Sequence, residues 1–382
     1  MASALLPLLA ATVSSSPPAA ATLSVTSTAA AGFIVSVGGR PWLVSTPSTL
    51  FAGGTDHPVQ LSLGSAPTSG TDALGAWQAD TFAGSAGGVQ VEAAIRRYSA
   101  RGAVTFDITL PHGATATQRA PFNISLYGHP GHVPPMLDFP AFSWGGASAA
   151  ELGVFTIGGD QIGQAHLSWG DGKCGQPPRE CAQPSNLGRS AGPALLFEDP
   201  RKVAVAICPL THSHTATNFF HFESPALQKW QWGPSGELSS LPKGFTHRTL
   251  VVLGPHGFTD AWERMGAALQ AMSPLASAAR LKAQAADLNL NQLSYYTDAG
   301  TVFTNGDTLG EADLVKTIAS ADLPFGMVQL DDWSHATNDS HPVDCGCLEN
   351  WTGNPQQFPR GWLDFAQCGA LLLLSRWVTC LG

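Results

Sequence analysis

From about Thr22 to Gly254 the chain is a series of short apolar runs cut by Gly, Pro, Ser and Asp. FIVSVGG, PVQLSLG, VQVEAAIRRYSA, AVTFDITLP, FNISLYG, ELGVFTIGG, ALLFEDP, KVAVAICPL and HRTLVVLG are the clearest. Several alternate: Val104, Phe106, Ile108 and Leu110 place apolar groups on one side, while Thr105, Asp107 and Thr109 face the other. That is the period of a half-buried antiparallel strand, and many such runs at turn-punctuated spacing predict a large antiparallel β-sandwich over residues 22–256. No repeat of fixed period is present, which argues against a propeller.

The period changes at Gly257. Asp260 and Glu263 read as an N-terminal capping pair, and Trp262, Met265, Leu269 and Met272 recur at helical spacing up to Pro274. A second, Ala-rich helical stretch runs from Leu275 to Asp287. Together they predict a helical connector over residues 257–289, its Trp and Met stripe packed as core. Residues 290–382 change character again, to α/β. Leu293 to Trp333 reads as strand, helix, strand, with Leu314, Ile318 and Ala321 on one face of the helix. A parallel strand pair needs such a crossover, and the 33 positions from Asp298 to Asp331 match one βαβ unit. Ser334 to Pro359 has little periodicity and reads as a long loop. A short helix near Arg360 to Gln367 and a third, fully buried strand at ALLLLSRWV are expected after it.

Composition narrows the function classes. At 382 residues, 44% hydrophobic and 12% charged, the chain has material for a large core and more than one domain. Net charge is −9 and its Lys and Arg are scattered singly, which leaves no footprint for nucleic acid or anionic lipid. No stretch reaches the roughly 18 apolar residues of a membrane span. Residues 1–21 have an apolar run ended by small residues but no basic leading segment, and read either as a signal-like or as a disordered leader. Sequons at Asn123, Asn338 and Asn350 are glycosylation candidates, and Cys174 with Cys181, around a short Gly/Pro-rich loop, is the disulfide candidate. These fit a secreted or vacuolar protein; a soluble cytoplasmic one is the alternative. Oligomeric state is not legible.

Asp331 and Asp332 are the sharpest chemical feature. In parallel α/β architectures ligands sit beyond the carboxyl ends of the strands, where these acids, Trp333 and, from the first strand, Asp298 after Tyr295 and Tyr296 would fall. For either Asp alone, a turn cap is the structural alternative. Neighbouring residues of a strand point to opposite sides, so the pair does not suit the facing acid and nucleophile of a glycosidase, which stand roughly 5–9 Å apart. Accepting charge-assisted hydrogen bonds from neighbouring sugar hydroxyls suits them better. Asp332, His335, Asp339, His341, Asp344, Cys345 and Cys347 gather metal donors without a recognised metal spacing, and His212, His214 and His221 cluster in what reads as a polar strand face. No metal or cofactor is assigned. A G-x-S-x-G elbow, a Walker loop and a strand-borne G-x-G-x-x-G are missing.

The segment Ser294-Tyr295-Tyr296-Thr297-Asp298-Ala299-Gly300, then Gln329-Leu330-Asp331-Asp332-Trp333 and Phe358-Pro359-Arg360-Gly361, resembles the α-galactosidase and raffinose synthase family of glycoside hydrolases. The motif match covers about Leu293 to Gly361; the β-rich region agrees in architecture only. The resemblance implies an N-terminal β-supersandwich followed by an eight-fold β/α barrel of the TIM type. It also implies a pocket for a terminal galactose-like sugar bonded by Asp331 and Asp332, with Tyr295 or Tyr296 in place of the usual stacking Trp. A complete barrel takes about 250 residues, whereas Leu290 to Gly382 offers 93. The expectation is a truncated barrel of about three strands, without the nucleophile and acid/base that the family takes from later strands, and inactive alone. Two other readings stand beside it: a non-catalytic carbohydrate-binding or scaffold β-sandwich, and a metal-dependent hydrolase using the Cys-rich acidic loop.

Overall fold

The computed structural model describes residues 21–28, 32–119, 133–144, 152–158, 161–166, 192–199, 202–222, 228–272, 277–296, 320, 323, 325–329, 335–337, 348–353 and 359–361. The chain divides into two compact units, residues 1–273 and 274–382.

The first unit is built on two antiparallel sheets. One has six strands in the order Leu23–Ser27, Phe33–Val37, Arg40–Ser45, Ala141–Trp144, Gln228–Pro234 and Ala216–Phe222. The other has ten. Its path runs Gln161–His166, Gly153–Gly158, Ala194–Asp199, Val203–Pro209, Phe245–Gly254, Ala103–Leu110, Val89–Tyr98, Gly75–Ala86 and Gln60–Leu63, with Thr68–Asp72 also paired to Gly75–Ala86. Most of the apolar runs read from the sequence are strands here. FNISLYG lies outside the described residues.

One apolar core joins the inner faces of the two sheets. Val104, Phe106, Ile108 and Leu110 supply it from the middle of the larger sheet, as their alternation predicts, and Phe33, Phe139 and Phe142 meet Phe106 from the other side. Ring centroids stand 4.8–6.0 Å apart, mostly edge to face. Each fully buried ring contributes roughly 1.5–3 kcal/mol from apolar burial. Trp230 and Trp232, two apart in one strand and so on one face, extend the same core with centroids 5.0 Å apart.

The helix Phe258–Met272 covers part of the outer face of the larger sheet. Ala261, Met265 and Ala268 pack on Leu250, Val252, Ala204, Ala206 and Cys208. The fit is close enough that a Cβ on Gly254 would stand 2.2 Å from the backbone nitrogen of Ala261. Two details differ from the sequence reading. Trp262 is 37% exposed, because the buried stripe follows the small residues rather than the indole. Asp260 does not pair with Glu263; its carboxylate accepts from the His256 backbone N–H at 3.1 Å and from Arg264 Nε at 2.7 Å. Cys208 lies under this helix as a free thiol, and burial pushes it up to about 12.

The second unit contains the helices Ser277–Ala286 and Leu288–Asn291 and a parallel strand pair, Leu293–Tyr296 with Phe325–Gln329. Ser294, Tyr295 and Tyr296 stand opposite Met327, Val328 and Gln329. Of the crossover helix, Ser320 is described and is helical. The predicted loop Ser334 to Pro359 is not all loop: His335–Thr337 and Leu348–Gly353 pair antiparallel. The described residues contain one parallel pair and no closed barrel, and the segment ALLLLSRWV lies outside them. None of the described helices is long and apolar enough to cross a membrane.

His247 gives the first unit a measurable pH dependence. It faces the core opposite Ile108, 1% exposed, with Nε2 3.4 Å from Thr249 Oγ1. Burial, and after it the charge of His212, pushes its ring down to about 3. An unfolded imidazole takes up its proton near pH 6.5, so between that pH and about 3 the unfolded chain binds more protons than the folded one. Stability is complete above pH 6.5 and falls as pH drops through this window, with a slope approaching about 1.4 kcal/mol per pH unit. Urea denaturation between pH 7 and pH 4 should show a shallower loss in a His247→Gln chain than in the unaltered one. Equal losses would contradict a neutral, desolvated His247.

Candidate functional site

Two places bear on ligand binding: the carboxyl ends of the parallel pair, where the sequence reading expects a site, and a polar groove on the larger sheet. At the first, the pairing register sets Tyr296 beside Gln329, so both strands finish at the same end of the pair. Asp298 follows the first strand by two residues and Asp331 follows the second by two. Asp298, Asp331, Asp332 and Trp333 themselves lie outside the described residues, and Tyr295 and Tyr296 are described as backbone only. Cys174, Cys181, Asn123 and Asn338 also lie outside them; Asn350 belongs to the strand Leu348–Gly353. Among the described residues no group of three or more His, Cys, Asp or Glu is arranged to hold a metal ion. His212 and His214 do not share a strand face. His212 is in a left-handed conformation at φ 54°, leading into a 3-10 turn, Ser213–Thr215.

The groove was not foreseen, although the strand that makes it was. Thr105, Asp107 and Thr109 do point away from the core, but the strand Ala103–Leu110 is buried on both faces, and Asp107 is 3% exposed. Its neighbours across the pairing are Arg248 on one side and Ala94 on the other, and Thr81 follows beyond Ala94. Small side chains at Ala94 and Thr81 leave a depression of about 830 Å³, with Asp107 among its lining residues.

Four charged groups form a lattice there. Arg96 Nε and Arg248 Nε stand 3.0 and 3.1 Å from Asp107 Oδ2, and the Nη1 atoms of the same two guanidinia stand 3.3 and 3.4 Å from Asp72 Oδ2. Tyr98 donates its hydroxyl to Asp72 at 2.8 Å; burial first, then Asp72, pushes its phenol up to about 12. Arg96 also lies over the Trp77 ring, 4.5 Å from its centroid. The Nε–H groups are badly aligned with Asp107, both of whose carboxylate oxygens are closed off from solvent, and the Thr105 hydroxyl on the same strand also favours its charged form. Asp107 therefore has charge compensation without hydrogen-bond saturation. Burial raises its pKa from the ordinary carboxylate value, against the opposing pull of Arg248 and then Arg96. On the groove wall the hydroxyls of Thr109 and Thr246 bond each other at 2.9 Å. The sequence signal for this site was one Asp on the polar face of a strand; the two arginines come from different strands.

No protein-family model matches the chain, and no curated protein matches it either. Solved glycoside hydrolases resemble it in structure. The α-N-acetylgalactosaminidase NagBb of Bifidobacterium bifidum, in complex with Gal-NHAc-DNJ, is 13% identical with a TM-score of 0.47, over 91% of this chain and 55% of that one. The α-galactosidase of Lactobacillus brevis is 11% identical at a TM-score of 0.36, over 86% and 42% of the two chains. The GH36 α-galactosidase AgaA of Geobacillus stearothermophilus is 12% identical at 0.37, over 85% and 44%. The chain spans about half the length of these structures.

The lattice predicts a stability hierarchy. Arg248→Met leaves the buried Asp107 carboxylate with a single cationic partner and should cost on the order of 3–5 kcal/mol in urea denaturation. Arg264→Met removes a pair whose arginine is 41% exposed and should cost less than about 1 kcal/mol. Equal, small losses would show that Asp107 does not depend on its arginines.

Proposed function

We propose that the chain is glycoside-hydrolase-like and acts on or binds α-linked, galactose-like sugars at the ends of its parallel strand pair. The observation that carries this reading is the parallel pairing of Leu293–Tyr296 with Phe325–Gln329, because each strand leads directly into an acidic motif of the resembled family. In this reading Asp331 and Asp332 are ionised acceptors for neighbouring sugar hydroxyls. Asp298 lines the same mouth, and Trp333 with Tyr295 or Tyr296 supplies apolar surface for the sugar's C–H face. The resemblance assigns the nucleophile and the acid/base to strands beyond the second, and no residue of this chain is matched to them. The proposed role of this polypeptide is recognition of the sugar without bond cleavage by its own groups.

A second reading, a carbohydrate-binding β-sandwich, is favoured by one specific observation: the groove over Asp107 belongs to the first unit alone. The two readings separate by where sugar affinity resides.

Purified chain incubated with aryl α-galactosides should release no aryl alcohol above the buffer rate. Turnover abolished by changing one of its own residues would overturn the assignment of chemistry to groups outside it. In calorimetric titration with galactose, Asp331→Ala or Asp332→Ala should weaken binding by roughly 1–3 kcal/mol, the worth of a hydrogen bond to a charged group. Titrations unchanged by both would count against the strand-end site.

A further inference from the structure

An antiparallel sandwich can add strands at its sheet edges, and one edge here is met by a side chain from the opposite sheet. Among the described residues Leu23–Ser27 ends the six-stranded sheet, paired only with Phe33–Val37. The register fixes which of its backbone groups that pairing uses. Thr28 N–H donates to the Gly32 carbonyl at 2.7 Å and Gly38 N–H to the Thr22 carbonyl at 2.9 Å, in step with the pairing of Ser24 with Ser36 and Thr26 with Ile34. Bonded and unbonded pairs alternate along an antiparallel ladder. Leu23, Val25 and Ser27 therefore direct their N–H and C=O groups away from Phe33–Val37, toward the open edge.

Arg97 reaches that edge. It belongs to Val89–Tyr98 in the larger sheet, beside the core residue Val104, so it projects to the inner side while its neighbour Arg96 joins the outer lattice. Its Nε donates to the Val25 carbonyl at 3.0 Å and its Nη2 to the Ser27 hydroxyl at 3.3 Å, and Nη2 is also paired with Asp80. The Asp80 side chain is 16% exposed, and the hydrogen bond from Arg97 holds its carboxyl below the ordinary carboxylate range against burial. A strand arriving at this edge needs the Val25 carbonyl. It must first displace the guanidinium and leave a half-buried acid without its counter-ion.

The strand itself, LSVTS, offers no charge and no proline to deter pairing. A second copy of the same strand fits the edge once it is cleared. Antiparallel pairing about a two-fold axis at Val25 sets Val25 opposite Val25 and Leu23 opposite Ser27, which satisfies every edge-facing group with roughly six hydrogen bonds.

We propose that Arg97, anchored by Asp80, guards this edge and prevents the chain from pairing with a second copy of itself through Leu23–Ser27. The guard lies wholly in the first unit and is independent of sugar binding at the strand ends.

The test is sedimentation of the full chain over a range of concentrations, with urea denaturation alongside. Arg97→Met with Asp80→Asn clears the edge without stranding an acid, and should raise the self-association constant at least about tenfold over the unaltered chain. Adding Ser27→Pro removes an edge-facing N–H and no bond of the existing ladder, and should return association to the unaltered value. Where the double variant does not fold, Asp80→Asn alone, which keeps the guanidinium and removes its anchor, should raise association severalfold, again reversed by Ser27→Pro. The proposal is overturned if the folded variant associates no more than the unaltered chain, whatever its urea midpoint, or if its association survives Ser27→Pro.

Discussion

The first unit depends on a central strand whose residues are buried on both faces almost throughout. Ala103–Leu110 lies between Phe245–Gly254 and Val89–Tyr98, its inner face filled by Phe106, Ile108 and Leu110 and its outer face closed at Ala103 by the helix-packed cluster and at Asp107 by the arginines of the two flanking strands. Placing Asp107 in such a strand desolvates a carboxylate, which is tolerable only with opposite charge at hand. Arg96 and Arg248 meet that requirement from the two flanking strands. Each guanidinium reaches on to Asp72, so one buried acid organises side chains from four strands.

The outer face of the larger sheet is thereby divided. Where it carries Leu250, Val252, Ala204 and Ala206, the helix Phe258–Met272 closes it, and Gly254 permits the close approach. Where it carries Asp107, Arg96, Arg248 and threonines, no apolar helix face can lie without stranding their polar atoms. The groove begins where the helix ends, with Met272 at its edge.

The sandwich was legible because alternation with turn punctuation is a strong local signal. FIVSV, VQVEAAIRRY and AVTFDITL occupy almost the strands they imply. Strands without that signal were not read: Thr55–Pro58, Thr68–Asp72 and much of Gly75–Ala86 are polar or small, and their pairing comes from neighbours rather than from their own pattern. The capping pair at Asp260 and Glu263 was read two residues too late, because the helix begins at Phe258; Asp260 lies in its first turn, where it accepts from the His256 N–H and pairs with Arg264. The groove had no local signature. Asp107, Arg96 and Arg248 converge only through sheet order, and burial of both faces of one strand cannot be read from its alternation. At the strand ends, chain order sufficed to predict a parallel pair, and the pairing of Tyr295 with Val328 agrees.

The central functional claim is that the two parallel strands deliver their acidic motifs to a sugar. Hydrogen–deuterium exchange of the full chain, with and without millimolar galactose, addresses it without any substitution. Amides in peptides covering residues 293–298 and 325–333 should exchange more slowly with the sugar present, while those of Ala103–Leu110 should not change. Exchange in both strand-end peptides that is indifferent to galactose would contradict the account.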